Sequence, residues 1–243
     1  MKEDNEKLLG VMGGMGPLAT QLFYRMIIDK NEAHCDQDHL NMILFNHASM
    51  PDRTKAILKN DTEELYGKLL ADAKLLEKLG VDYIAIPCNT SHYFVQRIQD
   101  EIRIPIINMI EETIGEIDKN VTKVGILATD GTIKTGLYQK ECEKAGFIPV
   151  IPSEQCQKLI MKIIYDGIKD GGEIELSDFD KIDQEFRAEG CNCAIMACTE
   201  LSCFKETYHI GEYYLDAMSI LAKKSLEYCG KKLKVQTLEA NNE

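Results

Sequence analysis

GVDYIAIPCNT, residues 80–90, and GCNCAIMACTE, residues 190–200, are the two stretches that decide how this chain folds. Laid on each other, each opens on a glycine (Gly80, Gly190) and runs through an apolar, strand-like segment. Each then reaches a cysteine eight residues after its glycine, Cys88 and Cys198. A short polar pair follows in both, Asn89-Thr90 and Thr199-Glu200. A second pair matches upstream: EKLLGVMGGMG (6–16) lies on TKVGILATDGT (122–132), with Gly10 opposite Gly125 and Gly16 opposite Gly131. One shared glycine would be a cheap coincidence. Strand–loop pairs repeated in the same order imply a doubled unit, two similar α/β lobes related by a pseudo-twofold axis.

The flanking sequence alternates strand-like and helix-like segments. KLLGVMG leads into PLATQLFYRMIIDKN, where Pro17 suits a first helical turn and Leu18, Leu22 and Met26 trace one face. LNMILFN reads as a second strand. DTEELYGKLLADAKLLEKLG reads as a capped helix, with Asp61 at the cap, Glu64 three residues on, and Gly80 closing it. YIAIPC and IPIINMI continue the alternation, and the rhythm predicts parallel sheets covered by helices. The expected fold is α/β: two pseudo-symmetric lobes, each a parallel sheet flanked by helices, with the active site in the cleft between them. The first lobe spans 1–113 and is completed by a C-terminal amphipathic helix over 210–230; the second spans 114–209; a polar, frayed tail occupies 231–243. No low-complexity linker separates the halves, so the lobes should be tightly joined.

Composition narrows the class. A net charge of −12 argues against nucleic acid or an anionic membrane as partner, since both need a basic face. It leaves open a small anionic substrate, which responds to local charge. The segment MKEDNEK lacks the apolar core of a signal peptide, and no apolar run approaches the length of a membrane span. A cytoplasmic protein is expected. Nine cysteines, an odd count without an export signal, argue against a disulfide framework. The cluster Cys191, Cys193, Cys198 and Cys203 is spaced C-x-C-x4-C-x4-C, unlike paired zinc knuckles, and reads as packing cysteines with no metal.

Cys88 and Cys198 stand apart from those. In open parallel sheets ligands sit beyond the carboxyl ends of the strands, where both thiols are expected, each just before a helix. A helix start favours anions and lowers a thiol pKa. An isolated strand-end cysteine is ordinarily core filler. A mirrored pair is different: across a pseudo-twofold axis the two thiols would approach one ligand from opposite sides. Removing a proton from one face of a carbon and supplying one to the other inverts its configuration.

GVMGGMGPLAT, PCNTSH and ACTELS together resemble the aspartate/glutamate racemase family, cofactor-independent amino-acid racemases, from Gly10 to the helix containing Asp216. The likeness is nearest the aspartate branch. Glutamate racemases carry Asp-Ser-Gly where this chain has Gly13-Gly14-Met15-Gly16, and His after the second Cys-Thr where it has Glu200. Some broad-specificity relatives replace the first cysteine with threonine; here both thiols are present. The resemblance implies Cys88 and Cys198 as the acid/base pair, with Asn89, Thr90 and Thr199 holding the α-carboxylate and α-amino group. It implies Arg53, in MPDRT, and Lys169, in IYDGIKDG, as contacts of the substrate's distal carboxylate. Thr129 would line the second lobe's loop. Met15 reads equally as pocket wall or core filler, and Glu200 equally as a partner of the Cys198 thiol or of the substrate ammonium. His92 reads as a helix cap, a solvent-facing group or an orienting group. The family further implies an acidic amino-acid substrate, no cofactor and a homodimer.

Other readings remain. Gly10, Gly13, Gly14 and Gly16 are spaced G-x-x-G-G-x-G, not as a dinucleotide loop, and read as letting backbone approach the substrate. Another activity of the superfamily (broad-specificity or hydantoin racemase, thiol-dependent isomerase or decarboxylase) is the runner-up, ahead of a cysteine hydrolase, which needs one activated thiol and not two. A silent binding protein for an acidic metabolite would not need both thiols. Aspartate against glutamate stays open.

Overall fold

The glycine that opens each repeated stretch closes a helix. In the computed structural model, which describes residues 6–235, Gly80 and Gly190 each take φ +77°, directly after the helices Glu63–Lys78 and Leu176–Ala188. That left-handed backbone suits glycine, and it turns the chain so that Val81 N–H and Cys191 N–H reach back to the Leu76 and Phe186 carbonyls. The strands that follow are therefore launched identically in both lobes.

Among the described residues the strands are β1 (Leu8–Gly13), β2 (Asn41–Asn46), β3 (Tyr83–Ala85), β4 (Lys123–Ala128), β5 (Ile148–Val150), β6 (Cys193–Ala197) and β7 (Tyr214–Asp216). They form two parallel sheets, ordered β2-β1-β3 and β5-β4-β6-β7. In each, the lobe's first strand is central, its second lies on one side and its third on the other. The α/β class with two parallel, helix-flanked sheets is thus the architecture found.

The equivalence extends further. IPIINMI does not form a ladder strand. It makes a single parallel bridge, Ile106 to Ile84, in the place beside β3 that β7 occupies beside β6. Pro105 has no N–H to donate, which limits the pairing. Both segments end in a helix cap. Asn108 Oδ1 accepts from Ile110 and Glu111 N–H, and Asp216 Oδ1 accepts from Met218 and Ser219 N–H. The capped helices, Met109–Gly115 and Ala217–Tyr228, pack on each other.

The expected helix over 210–230 is corrected here: Tyr214–Asp216 is strand β7 of the second sheet, and the helix begins only at Ala217. Asp216 carries the signal, since its carboxylate satisfies two of the helix's open N–H groups. The helix after Asp61 starts at Glu63 with Thr62 at the cap. In the first helix, Pro17–Lys30, the buried face runs through Ala19, Leu22, Phe23 and Ile27, whereas Leu18 is 54% exposed. Of the expected tail, Lys232 and Lys234 pair with the end of the first helix and the chain just after it: Glu32 N–H donates to Lys232 O and Lys234 N–H to Lys30 O. Residues 236–243 lie outside those described.

Packing joins the lobes. One core combines Leu9 and Ala85 of the first sheet with Ile126 and Ile195 of the second and Met218 and Leu221 of the last helix. Each lobe also has an outer core, one around Leu69 and Ile84, the other around Phe186 and Met196. A fully buried aliphatic or aromatic side chain contributes about 1.5–3 kcal/mol, so a core shared this way binds the sheets into one body. No helix among the described residues is long and apolar enough to cross a membrane.

Candidate active site

Beyond the carboxyl ends of β1, β3, β4 and β6 the loops of the two lobes converge on one small pocket. Every site residue singled out from the sequence lines it: Met15, Arg53, Cys88, Asn89, Thr90, Thr129, Lys169, Cys198, Thr199 and Glu200. Both thiols therefore face one cavity. Sequence reading missed Asp52, Thr54 and Tyr165, which also line it. Asp52 adjoins Arg53, and Tyr165 lies one helical turn before Lys169, so proximity was the available signal.

Each group is set by its element. Asp52 caps the helix Arg53–Lys59, accepting from Lys55 N–H at 2.7 Å, which puts Arg53 in its first turn. The guanidinium folds back, donating from Nη1 to the Pro51 carbonyl and from Nη2 to the Met15 carbonyl, each at 3.1 Å. Its Nε is buried with no partner. Burial works against the Arg53 charge, but Cys88 beside it and Asp52 offset this and hold its pKa above the ordinary value. Lys169 ends the π-helical segment Ile163–Lys169 and pairs with Glu200 Oε1, which keeps the ammonium pKa raised in spite of burial. The Tyr165 hydroxyl, also carried by that segment, donates to Asp52 Oδ2 at 3.2 Å across the lobes.

Cys198 is the N-cap residue of the helix Thr199–Tyr208. Its thiol donates to Glu200 Oε2 at 3.0 Å, and Thr199 Oγ1 donates to the same oxygen at 3.4 Å. Burial and the neighbouring Glu200 charge push the Cys198 pKa well above the usual thiol value. At the equivalent position after Cys88 stands Thr90, not an acid. Its hydroxyl joins a trio with Thr129 (3.2 Å) and Thr132 (2.8 Å) of the other lobe. Asn89 is oriented by Tyr138, whose hydroxyl donates to Asn89 Oδ1 at 2.5 Å, while Asn89 Nδ2 is buried and unpartnered. Two buried N–H donors, Arg53 Nε and Asn89 Nδ2, thus stand without acceptors on residues that line the pocket.

His92 is structural. Met109 N–H donates to its Nε2 at 3.1 Å, so the ring proton sits on Nδ1, which donates to the Cys88 carbonyl at 3.0 Å. The neutral ring ties the Cys88 loop to the helix Met109–Gly115; burial lowers its pKa to about 4. Met15 is 2% exposed, with its sulfur accepting from Ser91 Oγ at 3.4 Å, so it both fills core and walls the pocket. The glycines need correcting. A Cβ on Gly13 would fall 2.3 Å from Thr20, and one on Gly14 would fall 2.4 Å from the His47 backbone, so these glycines let the lobe pack on itself. The matched pair works between lobes: a Cβ on Gly131 would meet the Thr54 backbone at 2.8 Å, and one on Gly16 would lie 3.7 Å from Glu200 Oε1. Of the clustered cysteines, Cys191 packs in the second lobe's outer core and Cys203 in the shared core. Among the described residues no group of three or more His, Cys, Asp or Glu side chains converges as a metal site would.

A family model for Asp/Glu/Hydantoin racemase matches residues 12–224. The chain belongs to this family. A broad-specificity amino-acid racemase, RacX of Bacillus subtilis, is 29% identical over 229 residues, covering 90% of this chain and 96% of that protein. A glutamate racemase of Aquifex pyrophilus is 30% identical over 137 residues, 55% of this chain and 52% of its own. Among solved structures, the Picrophilus torridus aspartate racemase superposes with a TM-score of 0.82 at 29% identity, covering 94% of this chain and 96% of that one. Membership in this racemase family supports an isomerase activity for the chain.

Proposed function

We propose that this protein interconverts L- and D-aspartate without a cofactor, with Cys88 and Cys198 exchanging protons with opposite faces of the α-carbon. The observation that carries this reading is the opening of both thiols, from equivalent loops of equivalent sheets, into one pocket that also holds Arg53 and Lys169. The distal carboxylate is matched to the two cations, Arg53 contributing a planar fork with an uncommitted Nε. The α-carboxylate and α-amino group are matched to Asn89 Nδ2, the threonine hydroxyls and the start of the helix Thr199–Tyr208. One thiolate takes the α-hydrogen and the opposite thiol returns a proton, so the configuration inverts, while the donors around the carboxylate stabilise the carbanion as it forms. The thiols supply the transfers themselves, so activity is expected to persist after exhaustive dialysis and to be lost on alkylation. A homodimer, on the strength of the family resemblance, and a cytoplasmic location complete the reading.

Chiral chromatography of each aspartate and glutamate enantiomer in deuterated water tests it. The inverted product should carry α-deuterium from the first turnovers while the remaining starting enantiomer stays mostly protiated. Cys88→Ala and Cys198→Ala should each lose at least the ~10²–10⁴-fold that a positioned acid or base provides. A thiol-to-alanine protein with the parental rate would end the two-thiol mechanism.

A further inference from the structure

A carboxylate inside a pocket meant for a dicarboxylate is a liability, and Glu200 is such a group. It is 5% exposed and lines the cavity. Its two oxygens are engaged on opposite sides: Oε1 by the Lys169 ammonium, Oε2 by the Cys198 thiol at 3.0 Å and the Thr199 hydroxyl at 3.4 Å. The other charged or titratable groups that sense it are Arg53 and Cys203. Glu200 therefore occupies the cation that the substrate's distal carboxylate would take.

Resting on the racemase reading above, we propose that Glu200 is a ligand-triggered proton acceptor for Cys198. When a dicarboxylate claims Lys169, Glu200 loses its cation and gains a like charge nearby. The thiol proton then passes from Cys198 Sγ to Glu200 Oε2. The S–H bond breaks, an O–H bond forms, Glu200 becomes neutral and Cys198 a thiolate, with no net change of charge. The effect falls mainly on Glu200 because Lys169 contacts the carboxylate directly, whereas Cys198 lies behind it along the chain Lys169–Glu200–Cys198. A buried thiol that holds its proton in the empty enzyme is thus made a base only when substrate is seated. It then takes the α-hydrogen of the enantiomer that presents it to Cys198, and Cys88 returns its own proton to the opposite face; by microscopic reversibility the other enantiomer reacts with the form this leaves, Cys88 as thiolate and Cys198 as thiol. Glu200 is a positioning residue here, acting on substrate only through Cys198. The same exchange moves the negative charge off the Glu200 carboxylate and onto Cys198 Sγ.

The test uses succinate, a dicarboxylate with no stereocentre to invert, and the Cys88→Ala protein, so that Cys88 contributes nothing to the thiolate signal. Saturating succinate should raise the ultraviolet thiolate absorbance by one thiolate per chain. Infrared difference spectra should show the carbonyl band of a newly protonated carboxyl group, shifting in deuterated water. In the Cys88→Ala/Glu200→Gln protein both signals should be absent although calorimetry still records succinate binding, at equal or higher affinity. With Cys88 intact, Glu200→Gln should lower kcat by at least ~10²-fold, the scale of a lost proton acceptor, without raising KM. The infrared band needs no Glu200 variant, so it decides the question even if that variant folds poorly. Succinate binding with neither band nor thiolate signal, in a chain that racemises aspartate, overturns the relay and leaves the racemase reading standing. A parent protein that racemises no acidic amino acid overturns that reading instead.

Discussion

Arg53→Ala isolates the distal carboxylate. In the wild type the guanidinium spends Nη1 and Nη2 on the Pro51 and Met15 carbonyls and keeps a buried Nε free. Truncation removes a charge from a desolvated pocket, and removing one partner of such a pair costs roughly 2–5 kcal/mol, or about 30-fold to several thousand-fold in kcat/KM. It also removes two charge-assisted hydrogen bonds to loop carbonyls, each contributing about 1.5–3 kcal/mol at most, less wherever water replaces the donor. Activity alone would therefore mix recognition with a loosened loop. The ratio of kcat/KM for aspartate over asparagine separates them, because a smaller folded fraction or a displaced loop lowers both substrates while only aspartate loses an ion pair. Chiral chromatography of both substrates, with a urea melt of the same preparations, gives the ratio and the stability together. The ratio should fall at least ~30-fold in Arg53→Ala. A ratio unchanged from the parent, with aspartate and asparagine falling together, would place Arg53 in the loop's support and not in recognition.

Three further outcomes follow from local geometry. His92, with its pKa lowered to about 4 by burial, stays neutral when folded, while the unfolded chain protonates it near ~6.5; stability should therefore fall as pH drops between those values, by about 3 kcal/mol in all. Urea titrations across that range should show a shallower pH slope in His92→Gln, and identical slopes would refute the assignment. Tyr138→Phe strands Asn89 Oδ1 and frees the amide to turn, so it should cost about 1–3 kcal/mol of stability and raise KM more than it lowers kcat. Gly131→Ala drives a Cβ against the Thr54 backbone between the lobes and should cost about 1–3 kcal/mol with loss of activity, whereas Gly67→Ala, in open space mid-helix, should stabilise by about 1 kcal/mol; equal melts for the two would contradict the close approach.

What could be read from the chain was what the backbone repeats. The glycine-to-cysteine spacing is legible because it encodes a left-handed helix exit, a strand and a loop, all local requirements that recur in both lobes. The same repeat marked Cys88 and Cys198, whereas Arg53 and Lys169 stood out only through the resemblance to the racemase family, Lys169 lying at the end of the segment Ile163–Lys169 and not at a strand end. Strand β7 was missed because Tyr213, Tyr214 and Leu215 continue the apolar spacing of the helix behind them, and only Asp216 marks the break. The contacts that set the chemistry were not legible. Tyr165 reaches Asp52, Thr90 meets Thr129 and Thr132, and Lys169 meets Glu200 across sequence separations that no periodicity records. His92 shows the same limit: its tautomer is decided by Met109 N–H, far along the chain.

The two loops hold equivalent places in their sheets, yet one thiol is followed at two residues by Thr90, opening a 3-10 helix, and the other by Glu200, in the first turn of an α-helix. No rotation of the protein turns one enantiomer into the other, which only a reflection can do, so the scaffold has no reason to make the two half-sites alike. Thermodynamics nevertheless binds them. Mirror-image amino acids have equal free energy in water, so their equilibrium constant is unity. A racemase must then show equal kcat/KM for both enantiomers, however unlike its two bases are. The difference between Thr90 and Glu200 can therefore appear only as a matched offset, with the enantiomer that turns over faster when saturating also requiring the higher concentration to saturate. Chemical asymmetry between the lobes sets how the enzyme divides binding from turnover, never which enantiomer prevails.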